Sequence, residues 1–119
     1  MTEQLISESL LAADDKKALD IALFDLQGKS DICDYQIICS GDNIRHTAAL
    51  ANEIKKRCLE STGKKPLHVE GLETAQWIVI DYGSLIIHIF IDEIRNYYAL
   101  DALWEKQSIE NWSEFTKTQ

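Results

Sequence analysis

The sequence predicts a mixed α/β fold in which helices flank a mixed sheet of about five strands. Segments with the helical and the strand period of apolar residues follow one another in the order α-β-β-α-β-β-β-α. A long helix lies between the second and third strands, where it normally packs against the sheet. The 119 residues, 45% of them hydrophobic, supply enough apolar surface for one core.

The chain begins with a short helix and two strands. Apolar residues at helical spacing predict a helix over about residues 3–15. Residues 18–26 alternate with the strand period and end at a turn signal around Gly28. A second strand is expected over residues 35–40, and it stops at Gly41.

The long helix has signals at both ends. Asp42 or Asn43 can cap its first turn, and Gly63 can end its last turn. Pro66 prevents the helix from resuming and begins a short strand over residues 67–70. The buried face of the helix is expected to carry Ile44, Ala48, Ala51, Ile54 and Cys58.

A hairpin and a last helix complete the domain. Residues 77–81 and 85–91 are rich in apolar strand-forming residues and are joined by a turn at Tyr82-Gly83. The last helix is expected from Asp92 to Trp104, with Asp92 as its cap and an interruption near Leu100. We therefore predict a domain over residues 1–104 and a polar C-terminal tail over residues 105–119, ordered only against the domain or a partner.

Composition narrows the classes of function. Twenty acidic and twelve basic residues give a net charge of −8, which repels nucleic-acid phosphates and attracts a basic protein surface.

Cys33, Cys39 and Cys58 lack C-x-x-C spacing, and we expect reduced, mostly buried thiols of a cytoplasmic protein. The N-terminus lacks the cations of a signal peptide, and the longest apolar run is too short for a membrane span.

The hairpin is expected to have two unlike faces. If its turn is tight, Asp81 lies opposite Ser84 and Trp77 opposite His88, although a bulge at Gly83 would change the facing of one strand. One face carries only Ile78, Ile80, Leu85, Ile87, Ile89 and Ile91. The other, here called the mixed face, carries Trp77, Val79, Asp81, Ile86, His88 and Phe90. The mixed face is either a recognition surface, with Trp77 exposed, or a second core with His88 hydrogen-bonded inside it.

Five segments of the chain carry a family resemblance. They are S-G-D-N-I-R-H (Ser40 to His46), V-E-G (Val69 to Gly71), W-I-V-I-D-Y-G (Trp77 to Gly83), H-I-F (His88 to Phe90) and R-N-Y-Y-A-L-D-A-L-W (Arg95 to Trp104). In order and spacing they resemble the Iojap, or ribosomal silencing factor, family over about Leu5 to Trp104. The sequence departs from the family at Asp101, where Glu is commoner. Arg45 and His46 also match, and we expect them to hold the preceding loop or the neighbouring strand.

The resemblance implies a nucleotidyltransferase-like core that lacks the catalytic carboxylates. It implies a protein that binds large-subunit ribosomal protein fourteen and sterically blocks association of the small and large subunits, which represses translation under nutrient limitation. A homodimer of the free protein is also implied. We expect no catalytic residue, no metal, no cofactor and little or no direct contact with nucleic acid.

Carried onto this sequence, the resemblance assigns partner binding to Glu70, Trp77, Asp81, Tyr82, His88, Arg95, Tyr98 and Leu100. Trp77 and Tyr98 are expected to supply apolar anchors, and Glu70 and Asp81 to pair with cations of the partner. Arg95 has an alternative role as an internal partner of Asp81 or Glu70.

Two rival functions follow from other residues. A nucleotidyltransferase would hold its metal ions with two carboxylates at positions i and i+2 of a strand, and the chain has no acidic pair at this spacing. His46, His68 and His88 also lack metal-ligand spacing. A ribosome assembly factor that binds rRNA would use the cations near the end of the long helix, which also complement the negative end of that helix. These cations are Lys55, Lys56, Arg57, Lys64 and Lys65.

Overall fold

The computed structural model of the protein describes residues 2–117, without the side chains of Tyr97, Tyr98, Glu114, Phe115 and Lys117. Within these residues the helices are α1 (Thr2–Asp15), α2 (Ile44–Thr62), α3 (Asp92–Tyr98), α4 (Leu100–Leu103) and α5 (Trp112–Lys117). The strands are β1 (Leu19–Asp25), β2 (Tyr35–Gly41), β3 (His68–Glu70), β4 (Trp77–Asp81), β5 (Leu85–Ile91) and β6 (Ser108–Ile109). A 3-10 turn, Glu105–Gln107, joins α4 to β6.

The strands form one mixed sheet in the order β3-β4-β5-β2-β1-β6. β2 and β5 run parallel at its centre, and the other neighbouring pairs are antiparallel. The predicted fold class is confirmed. The described residues form one strand more than the expected five, because residues 108–109 of the tail pair with β1.

One face of the sheet packs against α1 and α2 and forms the main core. Five of the six aliphatic residues of the hairpin face, all but Ile91, belong to this core, and each of the six is no more than 7% exposed. Apolar residues of α1 and α2 cover them, as the helical periodicity predicts. Trp112 of α5 packs at the edge of the same core, so the described part of the tail lies against the domain.

The ends of α2 follow the sequence signals. Asn43, and not Asp42, is the N-cap, and its side chain accepts a hydrogen bond of 2.9 Å from the His46 N–H. Gly63 ends the helix in the left-handed region, at φ 76°. The expected burial of Ile44 is wrong, since this side chain is 54% exposed. It lies in the first turn, beyond the edge of the sheet that buries Ala51 and Ile54.

The last predicted helix is two helices. Ala99 adopts φ 54° between α3 and α4, so the chain turns sharply where an interruption near Leu100 is expected. Asp92 is not a cap, because the N-cap residue is Ile91 and makes no side-chain cap hydrogen bond. Asp92 instead begins the helical turn itself, directly after β5 ends.

The strands of the hairpin pair in a register two residues away from the expected one. Trp77 lies opposite Phe90, and Val79 opposite His88. The turn is longer than assumed, because the Tyr82 N–H bonds the carbonyl of Leu85. Side chains alternate with a period of two, so a shift of two residues leaves both faces unchanged in composition.

The mixed face is covered in its central part by α3 and α4. Phe90, Ile86 and His88 are at most 9% exposed, and Ile38 and Phe24 of the neighbouring strands join Phe90 and Ile86 in a second core. Ile94, Leu100 and Trp104 pack onto this core from the helices. The interpretation as a second core is therefore confirmed for the part of the mixed face under α3 and α4, and a recognition surface stays a prediction for the rest.

Candidate protein-docking surface around Trp77

The rest of the mixed face stays open beside the edge strand β3. His68 and Glu70 of β3 lie opposite Asp81 and Val79 of β4, respectively, and therefore point to the same side of the sheet. His68 and Glu70 are exposed, whereas Trp77, Val79 and Asp81 are half-buried. We call these five residues the open face. It combines an indole and an aliphatic side chain with two carboxylates and an imidazole.

Trp77 is held in place from two sides. Its Nε1–H donates a hydrogen bond of 3.1 Å to Nδ1 of His88. Its ring stacks on that of Phe90, with centroids 5.0 Å apart and planes inclined by 26°. Because the polar end and one ring face are both engaged, the remaining exposed part of the indole is presented in one orientation.

His88 supports Trp77 from inside the domain. Burial lowers the pKa of His88 to about 4, although the nearby Asp101 acts in the opposite direction. The ring is therefore neutral near pH 7, and Nδ1 is free of a proton because it accepts from Trp77. At 9% exposure, His88 is a buried support for the open face, as the second interpretation of the mixed face expects.

The two carboxylates of the open face have no cation partner in the part of the chain that the structure describes. Within the described part of the chain, no Lys, Arg or His lies within ion-pair distance of Glu70 or Asp81. Asp81 accepts a hydrogen bond of 2.7 Å from the Gly83 N–H through Oδ1, which fixes the carboxylate at the start of the turn. Both groups can therefore meet a cation from outside.

Arg95 has the alternative role of an internal ion-pair partner, but it does not pair with either of the two expected carboxylates. Its Nε and Nη2 donate to the two carboxylate oxygens of Asp101, at 3.0 and 2.7 Å. Its Nη1 donates to the Ser40 hydroxyl at 3.1 Å. The left-handed turn at Ala99 brings Asp101 back towards α3, so neither Asp81 nor Glu70 is the partner. Arg95 is 7% exposed, and it ties α3, α4 and β2 together.

The other assigned residues lie elsewhere. Tyr82 belongs to the main core on the opposite side of the sheet, and burial raises the pKa of its hydroxyl well above the ordinary value. Leu100 packs on the second core. The side chain of Tyr98 lies outside the described residues. The structure thus brings Glu70, Trp77 and Asp81 together at the surface, with His88 directly beneath.

His46 holds the neighbouring loops, as expected. Its Nδ1 accepts from the Asp42 N–H at 2.9 Å, and its Nε2 donates to the carbonyl of Lys16 at 2.7 Å. It therefore joins the start of α2 to the end of α1. Arg45 is exposed beside it.

Little of the described chain is arranged for other chemistry. No group of three or more His, Cys, Asp or Glu residues among the described residues could hold a metal ion. Cys39 is fully buried, which raises the pKa of its thiol to about 12, far from that of a reactive nucleophile. No described helix is both long and apolar enough to cross a bilayer.

The candidate rRNA patch is weaker than its sequence indicates. Arg57 forms ion pairs with Asp15 and with Glu8, so this cation is engaged with α1. Lys55 is half-buried, whereas Lys56 is exposed. The exposed positive charge near the end of α2 is therefore smaller than the five cations in the sequence imply.

Comparison with known proteins decides the family. A family model described as "ribosomal silencing factor during starvation" matches residues 1–119. The chain belongs to this family. Membership identifies it as a ribosomal silencing factor and hence as a regulator of translation, and the resemblance drawn from five short segments is confirmed.

Individual relatives agree. The ribosomal silencing factor of Zymomonas mobilis is 40% identical over 104 residues, which cover 87% of this chain and 75% of the relative. That of Bacillus subtilis is 35% identical over 102 residues and 86% of each chain. A crystal structure of a Chromobacterium violaceum protein superimposes with a TM-score of 0.81 at 31% identity, over 88% of both chains.

Two members of the open face, His68 and Val79, are not among the residues that the sequence assigns to partner binding. His68 joins the open face because β3 pairs with β4 in a register that places position 68 beside 81. The alternation of β4 indicates the facing of Val79. No sequence signal indicates which strand lies beside β3, so His68 could not be placed.

Proposed function

We propose that the open face binds large-subunit ribosomal protein fourteen, and that the bound protein sterically blocks association of the small and large ribosomal subunits. The observation that carries this proposal is the fixed, partly exposed indole of Trp77 on the same face as two carboxylates that have no cation partner among the described residues. The effect on translation under nutrient limitation would follow from occupancy alone, without catalysis or a cofactor.

An indole held in this way is suited to anchor a protein interface. Trp is among the residue types most enriched at positions that dominate binding energy. A side chain already fixed by a hydrogen bond and a ring stack loses little conformational freedom on binding. Val79 beside it extends the apolar area, and Tyr98 is proposed as a second anchor.

Charge favours a basic partner. The chain carries a net charge of −8, which accelerates the approach of a positively charged surface and disfavours contact with exposed rRNA. Glu70 and Asp81 stand at the rim of the apolar centre, where Lys or Arg of the partner can pair with them. We therefore propose that contact is with protein and that direct contact with nucleic acid is minor.

The buried assigned residues act by holding the open face in shape. His88 orients Trp77, while Arg95 and Leu100 secure the helices that cover the adjoining core. Tyr82 anchors the turn that follows Asp81 in the main core. We propose the cytoplasm as the site of action and a homodimer as one state of the free protein.

Co-sedimentation with purified large subunits tests the binding surface. Trp77→Ala should weaken binding by about 2 kcal/mol or more while the circular dichroism spectrum stays unchanged. Leu59→Ala is the matched control, because Leu59 is 42% exposed but lies on α2, on the other side of the sheet. Equal binding of Trp77→Ala and wild type would show that the open face is not the docking surface.

A further inference from the structure

A second surface lies at the edge of the sheet where β2 and β5 end. A groove of about 570 Å³ runs between the first turns of α2 and the loop that joins β3 to β4. Ile44 and Ala48 form one wall, and Leu72 and Glu73 the other. None of these residues belongs to the open face.

The two walls of the groove are fixed to each other. The hydroxyl of the fully buried Thr47 lies 2.5 Å from the carbonyl oxygen of Ala75 and 2.9 Å from that of Ile44. The Ala75 N–H bonds the carbonyl of Gly71 at 2.8 Å. A Cβ on Gly71 would lie 2.0 Å from the carbonyl oxygen of Trp77, so the loop sits directly on β4. The spacing of the walls is therefore built into the fold.

The centre of the groove is apolar and exposed. Ile44 is 54% exposed and Leu72 is 41% exposed. Ile44 has the sequence spacing of a core residue, but its side chain does not pack into the core. Two large aliphatic side chains held across a groove form an apolar surface that a partner can cover.

The rim of the groove is acidic. A second cleft of about 490 Å³ shares Ile44 with the groove and is bordered by Asp92 and Glu93 at the start of α3. Asp92, Glu93 and Glu73 are exposed, and none of them has an ion pair among the described residues. Among the described residues that line the two clefts, Arg45 is the only Lys or Arg.

We infer that this groove docks a Lys- or Arg-rich protein segment that carries an aliphatic side chain, contributed by a protein of the large ribosomal subunit. The aliphatic side chain covers Ile44 and Leu72, and the cations meet Glu73 and Glu93. Phosphates are repelled by this rim, so the occupant is protein and not rRNA. The inference rests on the proposed function and adds a second contact to the one through Trp77.

Binding of purified large subunits at increasing salt tests the inference. Ile44→Ser with Leu72→Ser should raise the dissociation constant about tenfold, as expected for truncated interface side chains. Glu73→Gln with Glu93→Gln should weaken binding at low salt and reduce its dependence on salt. Both pairs of residues are exposed, so the fold should persist.

The control uses the other end of α2. Leu59→Ser with Glu60→Gln removes one exposed leucine and one exposed carboxylate there, about 22 Å along the helix from Ile44. This variant should bind as wild type does. Groove variants that also bind as wild type at every salt concentration would overturn the second contact alone, whereas failure of wild type itself to bind would overturn both proposals.

A photocrosslink identifies the occupant. A benzophenone amino acid in place of Leu72 should crosslink to a ribosomal protein in the purified large subunit. Crosslinking to rRNA alone, or no crosslink while binding persists, would overturn the inferred occupant.

Discussion

The Nε1–H of Trp77 donates a hydrogen bond of 3.1 Å to Nδ1 of His88. This contact joins the exposed edge of the mixed face to its buried centre, since Trp77 is half-buried and His88 is 9% exposed. It requires a neutral imidazole with its proton on Nε2. The protonation state and identity of residue 88 should therefore control how Trp77 is presented.

Two replacements of His88 should distinguish the effect of its hydrogen bond from the effect of its size. The amide oxygen of His88→Asn can occupy the position of Nδ1 and accept from Trp77, whereas His88→Leu leaves the indole N–H without that partner. We expect His88→Leu to weaken large-subunit binding several-fold more than His88→Asn does, because a lost buried hydrogen bond costs about 1 kcal/mol. Equal loss in both variants would contradict an orienting role. Co-sedimentation and Trp fluorescence are the measurements.

His88 should make the protein less stable in acid. Its pKa is about 4 in the folded protein, below its ordinary value of 6.5, so between these values the unfolded chain binds more protons. The contribution of neutral His88 to the free energy of unfolding is thus complete above pH 6.5, and it is lost as the pH falls towards 4. We expect a loss of at most about 3 kcal/mol from this group. Urea unfolding of wild type and His88→Asn over this range should show a flatter pH dependence in the variant.

The Arg95–Asp101 ion pair should matter for stability. Asp101→Asn leaves the buried guanidinium without its counter-charge, and we expect the free energy of unfolding to fall by about 2–3 kcal/mol, less than for a fully buried pair because Asp101 is 38% exposed. Asp101→Glu keeps the charge and should retain most of the stability. Equal unfolding midpoints for Asp101→Asn and wild type in urea would show that the pair contributes nothing.

Gly71 should tolerate no side chain. Its φ is 87°, and a Cβ there would lie 2.0 Å from the Trp77 carbonyl oxygen, so Gly71→Ala must displace the loop from β4. We expect a loss of more than about 2 kcal/mol. Gly28→Ala is the control, because Gly28 has a similar φ of 76° but open space around its Cβ, and about 1 kcal/mol is expected. Thermal unfolding of both variants checks the difference.

The faces of the hairpin could be predicted from the sequence, but its register could not. Alternation assigns Ile78 and Val79 to opposite faces whatever the turn, since side chains have a period of two. The register depends on the turn after Asp81, where the Asp81 carboxylate binds the Gly83 N–H and the Tyr82 N–H binds the Leu85 carbonyl. These are local hydrogen bonds that no periodicity records.

Contacts that form where the chain turns back on itself could not be predicted from the sequence either. Arg95 pairs with Asp101 because Ala99 turns the chain back at positive φ, and Ala is not a residue that signals such a turn. The sixth strand has two residues, Ser108–Ile109, which is too short for any alternation. The exposure of Ile44 depends on where the sheet ends beneath α2. The kinds of side chain on the open face could therefore be predicted from the sequence. Which residues border this face depends on tertiary packing.

A subunit-joining measurement tests steric silencing through the open face most directly. Separated large and small subunits are mixed at the Mg²⁺ concentration that joins them, and joined ribosomes are quantified on a sucrose gradient with wild type, Trp77→Ala or Leu59→Ala. If silencing is steric and acts through the open face, wild type and Leu59→Ala prevent joining, while Trp77→Ala allows it. Joining that proceeds unhindered with wild-type protein bound, or that Trp77→Ala blocks as well as wild type does, would contradict steric silencing through the open face.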